Sequence, residues 1–418
     1  MKNIRNWACM LAVLGLISCS DKDDPAPVTP PSPEEPTTPT ETPDTTSTSS
    51  GMLDLHVEGR YLVDSNGKTI NLHGYTQTYS PYFNNNAWAS GDVEGCLKYN
   101  KQIDDGLRAA GWKFNFVRLH MDPVWSDDQS LAYVRFEGHE RFSAKLFKQA
   151  LENVFIPMAE YYIENGEYVV MRPPGVCPEE LAPDDSYYSF LTKVWSIVSS
   201  HPKIKNNMKI MFELANEPVR FKGDNKGLHD YFQGITDVIR ANCNNIVWVP
   251  GTGYQSQYQA YAQYPIEGEN IGYAVHCYPG WYGSPAEAQP GEFTVSLDGN
   301  EARFREGWNN QVGCVSEFAP IMVTEIDWAP AKYNIENGEN KHLCTWGSST
   351  TSAFGKPFKK IADESGNVSW LLFTTSHHRY VQFQNVEGHE GSYTFMNDPQ
   401  ACPWAIWHWF KDYADETK

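Results

Sequence analysis

Two glutamates close two apolar runs. Met211 to Ala215 leads into Asn216, Glu217 and Pro218, and Ile321 to Thr324 leads into Glu325. Cleaving a glycosidic bond needs one acid to protonate the leaving oxygen and one carboxylate at the anomeric carbon, so a pair of carboxylates on strand ends is the smallest apparatus for it. His276 and Tyr278 fall at or just past the end of another apolar run, 271–276. Glu213 shares parity with Glu217, and inside an apolar strand it reads as a buried ion-pair partner of some basic residue rather than as a reagent. Asp327 reads as a solvated loop charge. His377 and His378 lack the spacing and carboxylate partner of a metal site, and no CxxC or Cys/His zinc pattern occurs, so neither a metal nor a cofactor is expected.

The elements that must carry these residues alternate. After a hairpin-like start over 53–70, turning at Asn66 and Gly67, strands are predicted at 71–75, 114–119, 168–172, 209–215, 246–249, 271–276, 321–325 and 368–373. Between them run helical stripes. Phe147, Leu151, Val154, Met158 and Tyr162 form one, stopped by Asn165 and Gly166, and Leu228, Tyr231, Phe232, Ile235 and Val238 form another. A closing helix is expected near 403–413. Eight alternating strands predict an α/β chain folded as a closed (β/α)8 TIM barrel. No glycine-rich phosphate loop follows the first strand, which removes the main reason to prefer an open doubly wound sheet. Barrel active sites lie at the C-terminal ends of the strands, so glutamates ending the fourth and seventh strands can face each other across the mouth.

The N-terminus is organised differently. Basic residues and a short apolar stretch, Trp7 to Ile17, read as a secretory signal. Leu16, Ile17, Ser18 and Cys19 resemble the lipobox of bacterial lipoproteins, which implies cleavage at residue 19 and a lipid on Cys19. The acidic stretch 20–24 resembles the tag that sends some Gram-negative lipoproteins to the outer face of the outer membrane, so an exported, cell-surface lipoprotein is expected. Residues 20–51 continue as a Pro-, Thr- and Ser-rich linker too poor in apolar surface to order itself. Residues 52–418 are then one catalytic domain, expected to act as a monomer. The formal charge of −19 argues against nucleic acid or anionic headgroups as partners, leaving an uncharged substrate and a membrane reached only through the lipid. Of nine cysteines, the seven beyond Cys19 are scattered and read mostly as small buried hydrophobes, with a disulfide left open.

With these residues in place, the chain resembles glycoside hydrolase family 5 over essentially all of 52–418. The segment Phe212 to Pro218 is similar to the family's strand-four motif, which implies that Glu217 is the acid/base and Asn216 binds the sugar 2-hydroxyl. Ile321 to Ile326 resembles the strand-seven motif, which makes Glu325 the nucleophile. His276, Cys277 and Tyr278 resemble the strand-six His-x-Tyr, whose tyrosine supports the nucleophile, and Arg118 matches the strand-two arginine that does the same. Two departures stand out. Arg172, Pro173, Pro174 and Gly175 replace a strand-three Asp-x-His, with His120, His377 or His378 as candidates to supply a histidine. Where a tryptophan usually floors the −1 subsite, the nearest residues are Phe373 and Trp370.

The resemblance implies a retaining endo-β-glycanase acting on a neutral β-1,4-linked polysaccharide, of cellulose or β-glucan type first and mannan or hemicellulose second. Loop aromatics such as Trp281 and Trp328, beside Tyr79, Tyr82, Trp88, Trp125, Tyr282 and Trp346, could form stacking platforms along a cleft. A barrel that binds glycan without cleaving it and a transglycosylase are the competing readings.

Overall fold

Eight strands pair in sequence order and close on themselves. They are β1 (His73–Thr78), β2 (Phe116–His120), β3 (Tyr168–Arg172), β4 (Ile210–Glu213), β5 (Val247–Pro250), β6 (Ile271–Cys277), β7 (Ile321–Ile326) and β8 (Val368–Leu371). Every pair is parallel, and β8 closes on β1 through Trp370 opposite His73 and Leu371 opposite Gly74. This computed structural model describes residues 51–78, 93–109, 113–126, 139–278, 281–284, 300–326, 333–334, 341–342, 355–371, 381–383 and 393–395. The predicted closing helix lies outside the described residues.

The strands read as unbroken apolar runs because both of their faces are covered, and every residue of β2 to β8 is buried. Inside the barrel, two large rings lie against glycines of the neighbouring strands. Phe116 on β2 lies against Gly74 on β1, and Trp248 on β5 lies against Gly272 on β6. Outside, Ser186–Ser200 and Asn225–Arg240 are capped by Asp185 and Asp224, whose carboxylates accept from the Tyr188 and Gly227 N–H groups at 2.6 and 2.8 Å. Burial of Leu228, Tyr231, Phe232 and Ile235 follows the predicted stripe, but Ile239 is the buried residue at its end and Val238 is only partly covered.

Two further predictions need correction. The N-terminal hairpin pairs Leu55–Glu58 with Tyr61–Asp64 and turns at Gly59 and Arg60. The expected turn at Asn66 and Gly67 is a second one, tied by Asp64, that folds Thr69 back onto Val63. The stripe from Phe147 to Tyr162 is buried throughout, yet its helix is interrupted by a π turn over Leu151–Phe155. Pro157 supplies no N–H to the turn before it, and the Ile156 N–H reaches back five residues to the Leu151 carbonyl. Among the described residues no helix is long and apolar enough to cross a membrane, and Cys177, Cys243, Cys277 and Cys314 are free thiols.

A Cβ at position 272 would overlap the Trp248 ring and come within 3.0 Å of the Pro320 carbonyl. Gly272→Ala is therefore expected to lower stability by about 1–3 kcal/mol in urea unfolding. Adding Trp248→Leu should return part of that loss, so the double variant should be more stable than the sum of the single changes predicts.

Candidate active site

Arg118, on β2, points into the barrel and is completely buried. Its Nε and Nη2 donate to Glu213 Oε2 and Oε1 at 2.6 and 2.9 Å, Nη2 also donates to Asn216 Oδ1 at 2.7 Å, and Nη1 donates to Glu325 Oε1 at 2.7 Å. The predicted partner of Glu213 and the predicted support of Glu325 are thus the same guanidinium. Because a guanidinium only donates, Asn216 must turn its oxygen toward it, and its NH2 is left for another acceptor.

Glu325 takes a second donor on its other oxygen, from the Tyr278 hydroxyl at 2.5 Å, and lies 3.5 Å from His276 Nδ1. Burial pushes its carboxyl up, but the His276 and Arg118 charges and the hydrogen bonds from Tyr278 and Arg118 outweigh burial and hold it at about 2. Glu213 follows the same logic more strongly: burial raises it, and Arg118 and His276 bring it below the ordinary carboxylate range. Burial also opposes charge on His276, and the three glutamates around it reverse that, raising it above its usual value.

Strict alternation along β7 would turn Glu325 away from the mouth. Val323 lies opposite Val275 and Trp370, but His276 lies opposite Glu325, so Thr324 is the extra residue of a bulge. As a result both Thr324 and Glu325 face inward: the Thr324 hydroxyl donates to Glu213 Oε1 at 2.8 Å while Glu325 meets Arg118.

Glu217 sits beyond β4 with φ of 57° and is the more open of the pair, its side chain 25 % exposed against 9 % for Glu325. Its Oε1 is 3.2 Å from His276 Nδ1. One oxygen from Glu217, one from Glu325 and a nitrogen of His276 all lie within 4.8 Å of one another. Such a trio has the donors for a metal, yet both Glu325 oxygens already accept hydrogen bonds and Arg118 supplies the positive charge a metal would bring. The arrangement suits proton transfer beside a fixed carboxylate.

Of the aromatic candidates, Trp281 lies beside Tyr278, edge to face at 5.2 Å. Trp370 does not face the mouth. It is fully buried, packed edge-on between His73 and Phe358 of the helix Gly355–Ser365, because its position on β8 pairs with outward-facing Val323, and it offers no ring face to a sugar. Phe373, Trp328, His377 and His378 lie outside the described residues, as does Asp327. At the corner of the strand-three departure, Arg172 is buried and donates to Asp122, to the Pro173 and Gly175 carbonyls and, through Nη2, to His120 Nδ1 at 3.1 Å. Among the described residues, the histidine at this corner is His120, on β2. Sequence reasoning missed Asp122 and also Gln255, a buried residue after β5 that contacts Glu213, Thr324 and the Glu217 backbone.

A parallel eight-stranded barrel with paired carboxylates on the ends of β4 and β7 defines the class of (β/α)8 glycosidases. The family model for cellulase (glycosyl hydrolase family 5) matches residues 63–379, and the chain belongs to that family. It is 28% identical over 200 residues to an endoglucanase of Bacillus sp. (strain KSM-635), a match covering 46% of this chain and 18% of that protein. It is 23% identical over 374 residues to the cellulase CelDZ1 of Thermoanaerobacterium sp., covering 84% of this chain and 76% of that one. Against an endoglucanase of Halalkalibacter akibai, 23% identical over 79% of this chain, it spans 37% of the relative's length. The fold matches that of a Saccharophagus degradans β-glucanase, SdGluc5_26A, solved with cellotetraose, at a TM-score of 0.58 and 18% identity over 91% of this chain and 98% of that one.

An unfolded glutamate titrates near 4.3. Glu325, held at about 2 in the folded chain, therefore adds stability that is fully present above the unfolded value and is lost as pH falls through the folded one, on the order of 3 kcal/mol in all. Urea midpoints of the wild type should fall more steeply between pH 6 and about pH 2 than those of Glu325→Gln.

Proposed function

We propose that the chain hydrolyses β-1,4-linked polysaccharide, of cellulose or β-glucan type, with retention of anomeric configuration. The observation that carries this reading is the approach of the two carboxylates, with oxygens within 4.8 Å. Retaining pairs stand about 5–5.5 Å apart, and inverting pairs about 6.5–9.5 Å to admit a water between carboxylate and sugar. Cellulases and endoglucanases among the relatives support the glucan backbone, with mannan and hemicellulose as its competitors.

In the first step a Glu325 oxygen bonds to the anomeric carbon as the bond to the leaving oxygen breaks, and the Glu217 proton passes to that oxygen. In the second, Glu217 takes a proton from water, the water oxygen bonds to the anomeric carbon, and the ester to Glu325 breaks. Arg118 and Tyr278 keep Glu325 ionised and fixed before attack. They also stabilise the carboxylate as it leaves in the second step. The Asn216 NH2, turned away from Arg118, is the donor for the sugar 2-hydroxyl.

Proton NMR of the first product formed from a defined oligosaccharide should show the β-anomer before mutarotation; an initial α-anomer would sink the retaining assignment. Reducing-end release from a panel of cellulose derivative, mixed-linkage glucan, glucomannan and xylan should vanish in Glu325→Ala and fall about 10²–10⁴-fold in Glu217→Ala. Wild-type protein that binds these polymers without releasing ends would favour a glycan-binding role.

Lipidation at Cys19 and display on the outer membrane belong to the same proposal, on the strength of residues 16–24. Full-length protein expressed in a Gram-negative host should incorporate labelled palmitate, and Cys19→Ser should not.

A further inference from the structure

We infer that Gln255 is a positioning residue for the acid/base: its side-chain oxygen holds the Glu217 backbone N–H and so fixes the left-handed turn that presents the Glu217 carboxylate at the mouth. The inference rests on the reading of Glu217 as acid/base.

Left-handed backbone at a non-glycine residue is strained and persists only where its surroundings impose it. Here two such segments face each other. Glu217 has φ of 57°, and Gly253, Tyr254 and Gln255 follow one another at 61°, 58° and 65°. The two are laced together: the Gly253 N–H donates to the Val219 carbonyl at 2.8 Å, the Tyr254 N–H to the Pro218 carbonyl at 2.9 Å, and the Glu217 N–H to Gln255 Oε1 at 2.9 Å. The turn that carries Gln255 is held from its own side by the Thr252 carbonyl, which accepts from the Ser256 and Gln257 N–H groups, and lies beside the Tyr258 hydroxyl, whose one proton faces both the Ala274 and the Gln255 carbonyls.

The orientation of the Gln255 amide follows from its neighbours. Its Nε2 lies 2.8 Å from Glu213 Oε1 and 3.3 Å from Thr324 Oγ1, and a carboxylate can only accept. The NH2 must therefore face Glu213, which leaves Oε1 for the Glu217 N–H. Among side chains of this length, an amide alone both donates to a carboxylate and accepts from a backbone N–H. Glu213 also grips Arg118, and Arg118 grips Glu325, so through Gln255 the acid/base and the nucleophile are both referenced to one buried carboxylate.

The test is the leaving-group dependence of kcat/KM on aryl β-cellobiosides, from dinitrophenyl, which departs without protonation, to unsubstituted phenyl, which needs it. Gln255→Met keeps the bulk and removes both hydrogen bonds. Its kcat/KM should fall roughly 10²-fold on the phenyl glycoside and stay within about threefold of wild type on the dinitrophenyl one. Glu217→Gln should show the same pattern more strongly. Gln255→Glu keeps an acceptor for the Glu217 N–H while adding charge beside Glu213, so it should be the less stable variant and yet depend less on the leaving group than Gln255→Met. A uniform fall across the series in Gln255→Met, or leaving-group dependence that tracks thermal stability across the two variants, overturns the positioning role. A flat series in Glu217→Gln overturns the acid/base reading instead, and the role of Gln255 with it.

Discussion

A single guanidinium, that of Arg118, braces the barrel from inside. It reaches Glu213 on β4, Asn216 just beyond it and Glu325 on β7, using four of its five N–H donors with no water exposure. Taking two carboxylates and a cation out of water costs several kcal/mol per ion, and the charges repay that only through close, well-directed contacts. Removing the cation would leave the carboxylates uncompensated, so the geometry of Glu325 and the integrity of the interior are one problem with one solution. Charge on Glu325 is thus a property of the fold before any substrate arrives.

The supporting shell extends this logic outward. Thr324 and Gln255 both donate to Glu213, which with the two bonds from Arg118 gives that carboxylate four hydrogen bonds from three residues. Such saturation suits a structural anion rather than a reagent, because a fully hydrogen-bonded carboxylate has little reason to take a proton. Glu217 is the opposite case, a quarter exposed and beside His276. Glu325, 9 % exposed and held by Arg118 and Tyr278, differs from Glu217 in the same direction, the asymmetry that the proposed division of labour between nucleophile and proton carrier requires.

Much of this was legible from residue order. Eight apolar runs gave the barrel because strands covered on both faces need no alternation, and Glu217, Glu325, His276 and Tyr278 were readable from their places at strand ends. Glu213 could be read as a buried ion-pair member from parity alone, although parity does not say which cation answers it. Other features left no local signal. Gln255 lies in a left-handed turn sustained by contacts with the Pro218 and Val219 carbonyls, which are distant in sequence, and by bonds within the turn. Trp370 looked like a sugar platform near a strand end, but its register against Val323 and His73 sends it to the helix layer. The π turn at Leu151–Phe155 disturbs no apolar spacing, since the stripe stays buried on either side of it.

The bulge at Thr324 separates two things that usually travel together, a residue's identity and the direction in which it points. Glu325 faces the cleft because one residue too many lies beneath it. An idealised barrel with regular ladders could carry every side chain of this site in the right order and still turn its second carboxylate to the wrong side of the wall. For anyone transplanting the pair to another scaffold, the irregular step in the seventh strand is as much a part of the cargo as the glutamate above it.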